Sequence, residues 1–157
     1  MKYIQTSLLL FISVLIFISC AKEENRDSDI PYAQVEIDIN YKTEHQFDNA
    51  YYYKQYYTGK NTSAAGYVGV LAISLYSNNT NGTLILKAFE LCCPYEAPLK
   101  NELNVVVDNW TLKCPKCNSQ YSLIDDGRAK SGPAVADGKR LKSYAVYKGD
   151  VFYRIRN

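Results

Sequence analysis

Histidine is the scarcest useful ligand in this chain: His45 alone among 157 residues. A site built from paired imidazoles has no donors here, and neither does catalysis that passes protons between two histidines. Lys and Arg never run longer than two in a row, and 18 basic against 16 acidic residues leave a net charge of +2. Nucleic-acid binding therefore has no electrostatic footprint. There is no Gly-rich phosphate loop. Ser74, Ser122 and Ser143 lack a G-x-S-x-G setting, which removes support for nucleophilic hydrolysis. Asp125, Asp126 and Asp137 have no partner histidine and read as turn residues. No ten-residue stretch after the leader carries a 3.6-residue apolar stripe.

The one long apolar run is at the start. Lys2 precedes Ser7 to Ile18, a run of about 12 apolar-rich residues, against the roughly 20 needed to span a bilayer as a helix. Residues 1–19 read as a secretory signal. Phe17-Ile18-Ser19-Cys20 resembles a bacterial lipobox, which implies a lipidated Cys20 and stable anchoring through several acyl chains. Residues 20–30 are charged and aperiodic, as expected of a solvated tether. Lys22-Glu23-Glu24 resembles the surface-export signal of Bacteroidetes lipoproteins; an ordinary acidic linker would look the same.

From residue 31 to 157 the chain reads as one all-β domain. Val35, Ile37, Ile39 and Tyr41 alternate with polar residues, as on a half-buried strand. Gly66 to Leu75 is a near-continuous apolar run, expected of a buried strand. Asn81-Gly82 marks a hairpin into a strand over Thr83 to Leu91. A tight hairpin is expected across Asp108-Asn109, a short strand at Tyr121 to Ile124, a rigid loop at Ser131 to Ala134, and a last hairpin across Lys148-Gly149-Asp150. The 15 tyrosines stud strands and loops as half-buried rings with polar tips.

Four cysteines stand in two short pairs, Cys92-Cys93 and Cys114-Pro115-Lys116-Cys117, each closing a β-type run. Two such loops form a clamp suited to a metal or an iron–sulfur cluster. From Phe89 to Ile155 the chain resembles the Rieske domain family. Cys93-Pro94-Tyr95 stands where that family has Cys-x-His, and Cys114-Pro115-Lys116-Cys117 where it has Cys-x-x-His. Ser131-Gly132-Pro133-Ala134 matches its Gly-Pro-Ala loop, and Leu141, Tyr144 and Val146 its closing hairpin. The resemblance implies a Rieske-like antiparallel barrel or sandwich of short strands, with two hairpin-tip loops inside the region 84–135. It also implies an electron-transfer ancestry, with Pro94, Pro115, Gly132 and Pro133 supporting the cluster loops.

Tyr95 and Cys117 replace the two histidines, and imidazole ligands are what raise a Rieske centre's potential. A standard Rieske [2Fe-2S] centre is therefore not expected. Three readings of the cysteines stay open. Cys93, Cys114 and Cys117, with Cys92 or Tyr95 as a fourth, could hold a [2Fe-2S] cluster or zinc. A disulfide from Cys93 or Cys92 to Cys114 or Cys117 would tie the loops in an oxidising compartment. Cys114-x-x-Cys117 could act as a redox thiol pair, although no helix follows it. Trp110 and Tyr121 flank the second loop and read as core packing or as a shield for the site.

The expectation is thus a non-enzymatic outer-membrane lipoprotein, facing the periplasm or the exterior. It would be a scaffold or binding module, or alternatively a metal- or cluster-bearing redox protein, and at most an electron-transfer component. Its partners would be the membrane, through the lipid anchor, and a protein or redox partner, with no nucleic acid.

Overall fold

The computed structural model describes residues 29–77 and 82–157. The leader, Cys20, the Lys22-Glu23-Glu24 triplet and Asn81 of the Asn-Gly pair lie outside the described residues. The folded part is all-β, as expected. Its strands are β1 Val35–Asn40, β2 Tyr53–Tyr56, β3 Ala64–Ala65, β4 Val70–Tyr76, β5 Leu84–Glu90, β6 Asn104–Val106, β7 Thr111–Lys113, β8 Gln120–Ser122, β9 Ala129–Ser131, β10 Ser143–Lys148 and β11 Phe152–Arg156. Seven form one sheet in the order β2-β4-β5-β10-β11-β1-β3, and four form a second in the order β6-β7-β8-β9. Neighbouring strands are antiparallel throughout both sheets. The turn that joins the two edge strands β2 and β3 is pinned by Gly59 N–H donating to Thr62 O at 2.9 Å, so the large sheet nearly closes on itself.

Strand β4 explains the architecture. Its apolar run is buried on both faces because it walls off two cores. Leu71, Ile73 and Leu75 face one, with Phe89, Leu91, Leu103, Leu112 and Tyr121; Val70 and Ala72 face the other, with Val35, Ile37, Ile39 and Ile155. Alternate side chains of a strand point to opposite faces, so an unbroken apolar run is what a dividing strand requires. Strand β1 has water on one side and alternates instead, with Val35, Ile37 and Ile39 buried. Its exposed carboxylates pair across the sheet, Asp38 with Arg154 at 2.8 Å and Glu36 with Arg156 at 2.9 Å.

The strand expected over Gly66 to Leu75 begins only at Val70, because residues 66–69 wrap around a buried carboxylate. Glu90 is wholly inaccessible and accepts N–H bonds from Tyr67 (2.8 Å), Val68 (2.9 Å) and Gly69 (3.2 Å). The Tyr144 hydroxyl donates a fourth bond at 2.6 Å. Four donors replace the water that a carboxylate loses on burial. Gly66 is held at φ 73, and a Cβ there would lie 2.4 Å from Glu90 Oε2, so only glycine fits. Glu90 thereby locks the end of β5 from which the first cysteine loop departs.

Two further differences from the sequence reading are local. His45–Asp48 and Pro133–Val135 form single 3-10 turns. The segment read as a rigid loop, Ser131 to Ala134, is instead the end of β9 followed by that second turn. Stretches this short carry no periodicity that a sequence can display.

Candidate metal centre

Two loops emerge side by side. The first leaves β5 and returns through Cys93 N–H to Asn101 O (3.0 Å) and Leu103 N–H to Leu91 O (2.8 Å), so it closes like a hairpin. The second is the β7–β8 hairpin tip. Cys114 N–H donates to Ser119 O (2.9 Å) and Asn118 N–H to Cys114 O (3.1 Å). Asn118 takes φ 60, a left-handed value that asparagine tolerates better than most residues. With Pro115 behind Cys114, the Cys-Pro-x-Cys-Asn run bends tightly enough to point both its thiols the same way.

The result is a group of three sulfurs. Those of Cys93, Cys114 and Cys117 all lie within 4.8 Å of one another, and Cys93 and Cys117 are 3.8 Å apart. Zinc bound tetrahedrally at 2.3 Å to each sulfur would set them about 3.8 Å apart. A disulfide needs about 2.05 Å, and all four described cysteines are free thiols. Cys93 and Cys114 are fully buried in the core between the sheets, whereas Cys117 is half-buried at its edge.

The other predicted residues do not join the three. Cys92 turns its sulfur toward Leu99 O at 3.4 Å; neighbours on an extended backbone face opposite ways. The Tyr95 residue is 38% exposed on the rim. The His45 side chain is 74% exposed on a distant 3-10 turn beside Asp48. Pro94 is buried and Pro115 exposed, each directly behind a cysteine of the group. Among the described residues, then, three thiolates converge on one point. They do not fit a [2Fe-2S] cluster, whose two irons each need a pair of protein ligands.

Hydroxyls complete the surroundings. Buried Tyr121 places its Oη 3.4 Å from Cys93 Sγ, so the residue read as packing also contacts the site. The Ser119 hydroxyl lies 3.2 Å from Cys117 Sγ and accepts Ala134 N–H at 3.2 Å. The Cys117 thiol donates to it, so the hydroxyl oxygen accepts both bonds with its two lone pairs. Gly132 makes this possible. It sits at φ 81, and a Cβ there would come within 2.6 Å of Ser119 Cα. Ser119 escaped the sequence reading because it lies just before β8, in a loop end where no periodicity marks which side chains face inward. Trp110, the other flanking aromatic, stacks on Tyr51 with ring centres 4.7 Å apart.

Electrostatics divide the thiols. Burial pushes Cys93 up to about 12, against hydrogen bonds from Tyr121 and from backbone N–H groups that pull it down. Cys92 is also pushed up to about 12, by burial and then by the Glu90 charge. Cys114 is raised by burial, partly offset by the N–H groups of Cys117 and Lys116. Burial alone would raise Cys117 too, but bonds from Ser119, Cys114 and Cys93 outweigh it and lower the thiol. A dry pocket that disfavours thiolates is costly to ionise unless a cation arrives to share the charge.

No protein family model matches the chain, and no curated protein matches it. Among solved structures, one assigned as the small subunit of an NADH-dependent nitrite reductase from Mycobacterium tuberculosis is similar at 12% identity, with a TM-score of 0.37. The match covers 79% of this chain and 96% of that one. A sequence identity and a TM-score this low leave the chemistry of the site to its own residues.

Proposed function

We propose that this chain is a non-catalytic, metal-holding domain of a cell-envelope lipoprotein. A single thiophilic ion, zinc in the first instance, would bridge the two loops through Cys93, Cys114 and Cys117. The convergence of three sulfurs within 4.8 Å from separate loops carries this reading. The ion would neutralise thiols that burial otherwise keeps protonated, and would tie the small sheet to the end of β5 as a structural zinc does. The Rieske-like sequence pattern supports an electron-transfer ancestry, with the two-imidazole cluster given up when Tyr95 and Cys117 took the histidine positions. The lipobox at Cys20 supports a membrane anchor in the outer membrane, facing the periplasm or the exterior.

A second reading has its own observation. Hydrogen bonds to ligand sulfurs help set the potential of iron–thiolate centres, and Tyr121 and Ser119 both approach ligand sulfurs. With iron in place of zinc, the same three thiolates would make a one-electron carrier, meeting a redox partner at the exposed rim.

Elemental analysis and thiol titration of protein purified without air test the proposal. One zinc per chain with three thiols shielded until a chelator is added is the expected result, and one iron with visible absorbance selects the second reading. A colourless, metal-free protein whose thiols all react without chelator would refute both.

A further inference from the structure

The three converging thiols differ in their access to water. Cys93 and Cys114 are fully buried, whereas Cys117 stands half-buried at the edge of the core. Across the gap between the loops, the sulfur in contact with Cys117 is that of Cys93, 3.8 Å away. A disulfide sets its sulfurs about 2.05 Å apart, so a shift of roughly 2 Å, shared between two loops, would join them. Cys92 is turned away to the Leu99 carbonyl. Cys114 sits in the same hairpin tip as Cys117, where its N–H bonds to Ser119 O and its carbonyl receives Asn118 N–H. An accessible thiol with a second thiol poised beside it is the arrangement in which one sulfur meets an oxidant and the other resolves it.

We propose that Cys117 is a site of oxidation by small hydroperoxides and that Cys93 resolves it, so that the sulfur group has two exclusive states: an ion held by thiolates, or a Cys93–Cys117 disulfide with no ion. With hydrogen peroxide, the Cys117 sulfur attacks one oxygen and the O–O bond breaks, leaving a sulfenic acid on Cys117 and releasing one water. The Cys93 sulfur then attacks the Cys117 sulfur. The S–S bond forms, the S–O bond breaks, and the hydroxyl leaves with the Cys93 proton as a second water. The two thiols lose two electrons and the peroxide gains them. The Tyr121 hydroxyl, 3.4 Å from Cys93 Sγ, both donates and accepts, so it can relay that proton. Release of the ion rests on the single-ion reading above; formation of the disulfide does not. Oxidation removes two of the three thiolate donors, and Cys114 alone does not make a zinc site. The new bond crosses the same two loops, so the small sheet stays tied to the end of β5 after the ion departs.

The test treats the full chain, both zinc-loaded and metal-free, with equimolar hydrogen peroxide under otherwise air-free conditions. The expected result is loss of two thiols per chain and a peptide mass map that joins Cys93 to Cys117, with Cys92 and Cys114 left as thiols. In the zinc-loaded sample the ion should pass to a chromogenic chelator as the thiols disappear, and dithiothreitol should restore both thiols and zinc binding. Cys117→Ser is expected to slow thiol loss by about tenfold or more, and Cys92→Ser to leave it unchanged. A Cys114–Cys117 bond, a sulfinic acid on Cys117 beside an intact Cys93 thiol, or thiols that survive the peroxide would each overturn the proposal; the mass map of the wild type decides this even where a variant fails to fold. The two readings fail separately. A chain that takes up no zinc but forms the Cys93–Cys117 bond removes the ion reading alone, and a zinc-binding chain whose thiols resist peroxide removes the oxidation site alone.

Discussion

The two sheets are held by different means. In the large sheet, strands of up to seven residues pack on both faces of β4, and a buried carboxylate with four donors locks one end. In the small sheet all four strands have three residues each. Strands that short have little ladder to hold them, and their order rests on Leu112, Tyr121 and Leu123 in the shared core and on the sulfur group at their edge. The large sheet is a scaffold complete in itself, whereas the small one gains most from an ion. That contrast is what makes the site legible as a clamp rather than as ornament on a finished fold.

The largest effect should come from attacking the scaffold. Glu90→Ala leaves four donors without their acceptor, two of them buried, and is expected to cost about 3–5 kcal/mol, read as a drop in urea midpoint that a metal does not restore. Next comes the clamp itself. Cys114→Ser should cut Zn²⁺ affinity at least about 100-fold. Hydrogen exchange should then quicken in β6–β9 while β4 and β5 stay protected. Equal loosening of both sheets would erase the contrast drawn between them. Gly132→Ala should cost about 1–3 kcal/mol, since it forces alanine into a left-handed backbone against Ser119. The loss should appear in both stability and ion affinity, because Ser119 faces Cys117.

The pH dependence separates the sheets by chemistry. Cys92 and Cys93 are raised to about 12 by burial, and Cys114 is raised as well. Above about pH 8.5, where unfolded thiols ionise, the unfolded chain releases protons that the fold retains, so metal-free stability should fall as pH rises. Lowered Cys117 contributes in the opposite sense but is outnumbered. Ion binding should release at least two protons at pH 7, from Cys93 and Cys114, as calorimetry in buffers of different ionisation heat would register. The smallest effect belongs to the scaffold's surface. Arg154→Ala breaks an exposed pair with Asp38 and should leave the urea midpoint almost unchanged, because solvent screens such pairs.

The scaffold was the easier part to read from sequence. Alternation at Val35, Ile37 and Ile39 marked β1, and an unbroken apolar run marked β4, because burial on one or two faces writes a different pattern. The two-residue β3 and the 3-10 turns are too short to write any. At the site, cysteine spacing singled out Cys93, Cys114 and Cys117, whereas Cys92 stayed open as a fourth until the structure turned its sulfur toward Leu99 O. Glu90 and Ser119 were hidden for a different reason. A glutamate at a strand end and a serine in a turn look like ordinary surface residues until folding surrounds them with donors and sulfur.

X-ray absorption on the zinc-loaded protein tests the central claim most directly. The account predicts three sulfur scatterers at about 2.3 Å and one lighter oxygen or nitrogen scatterer at about 2.0–2.2 Å. A shell made only of oxygen and nitrogen would contradict it, because the ion would then be bound somewhere other than between the two loops.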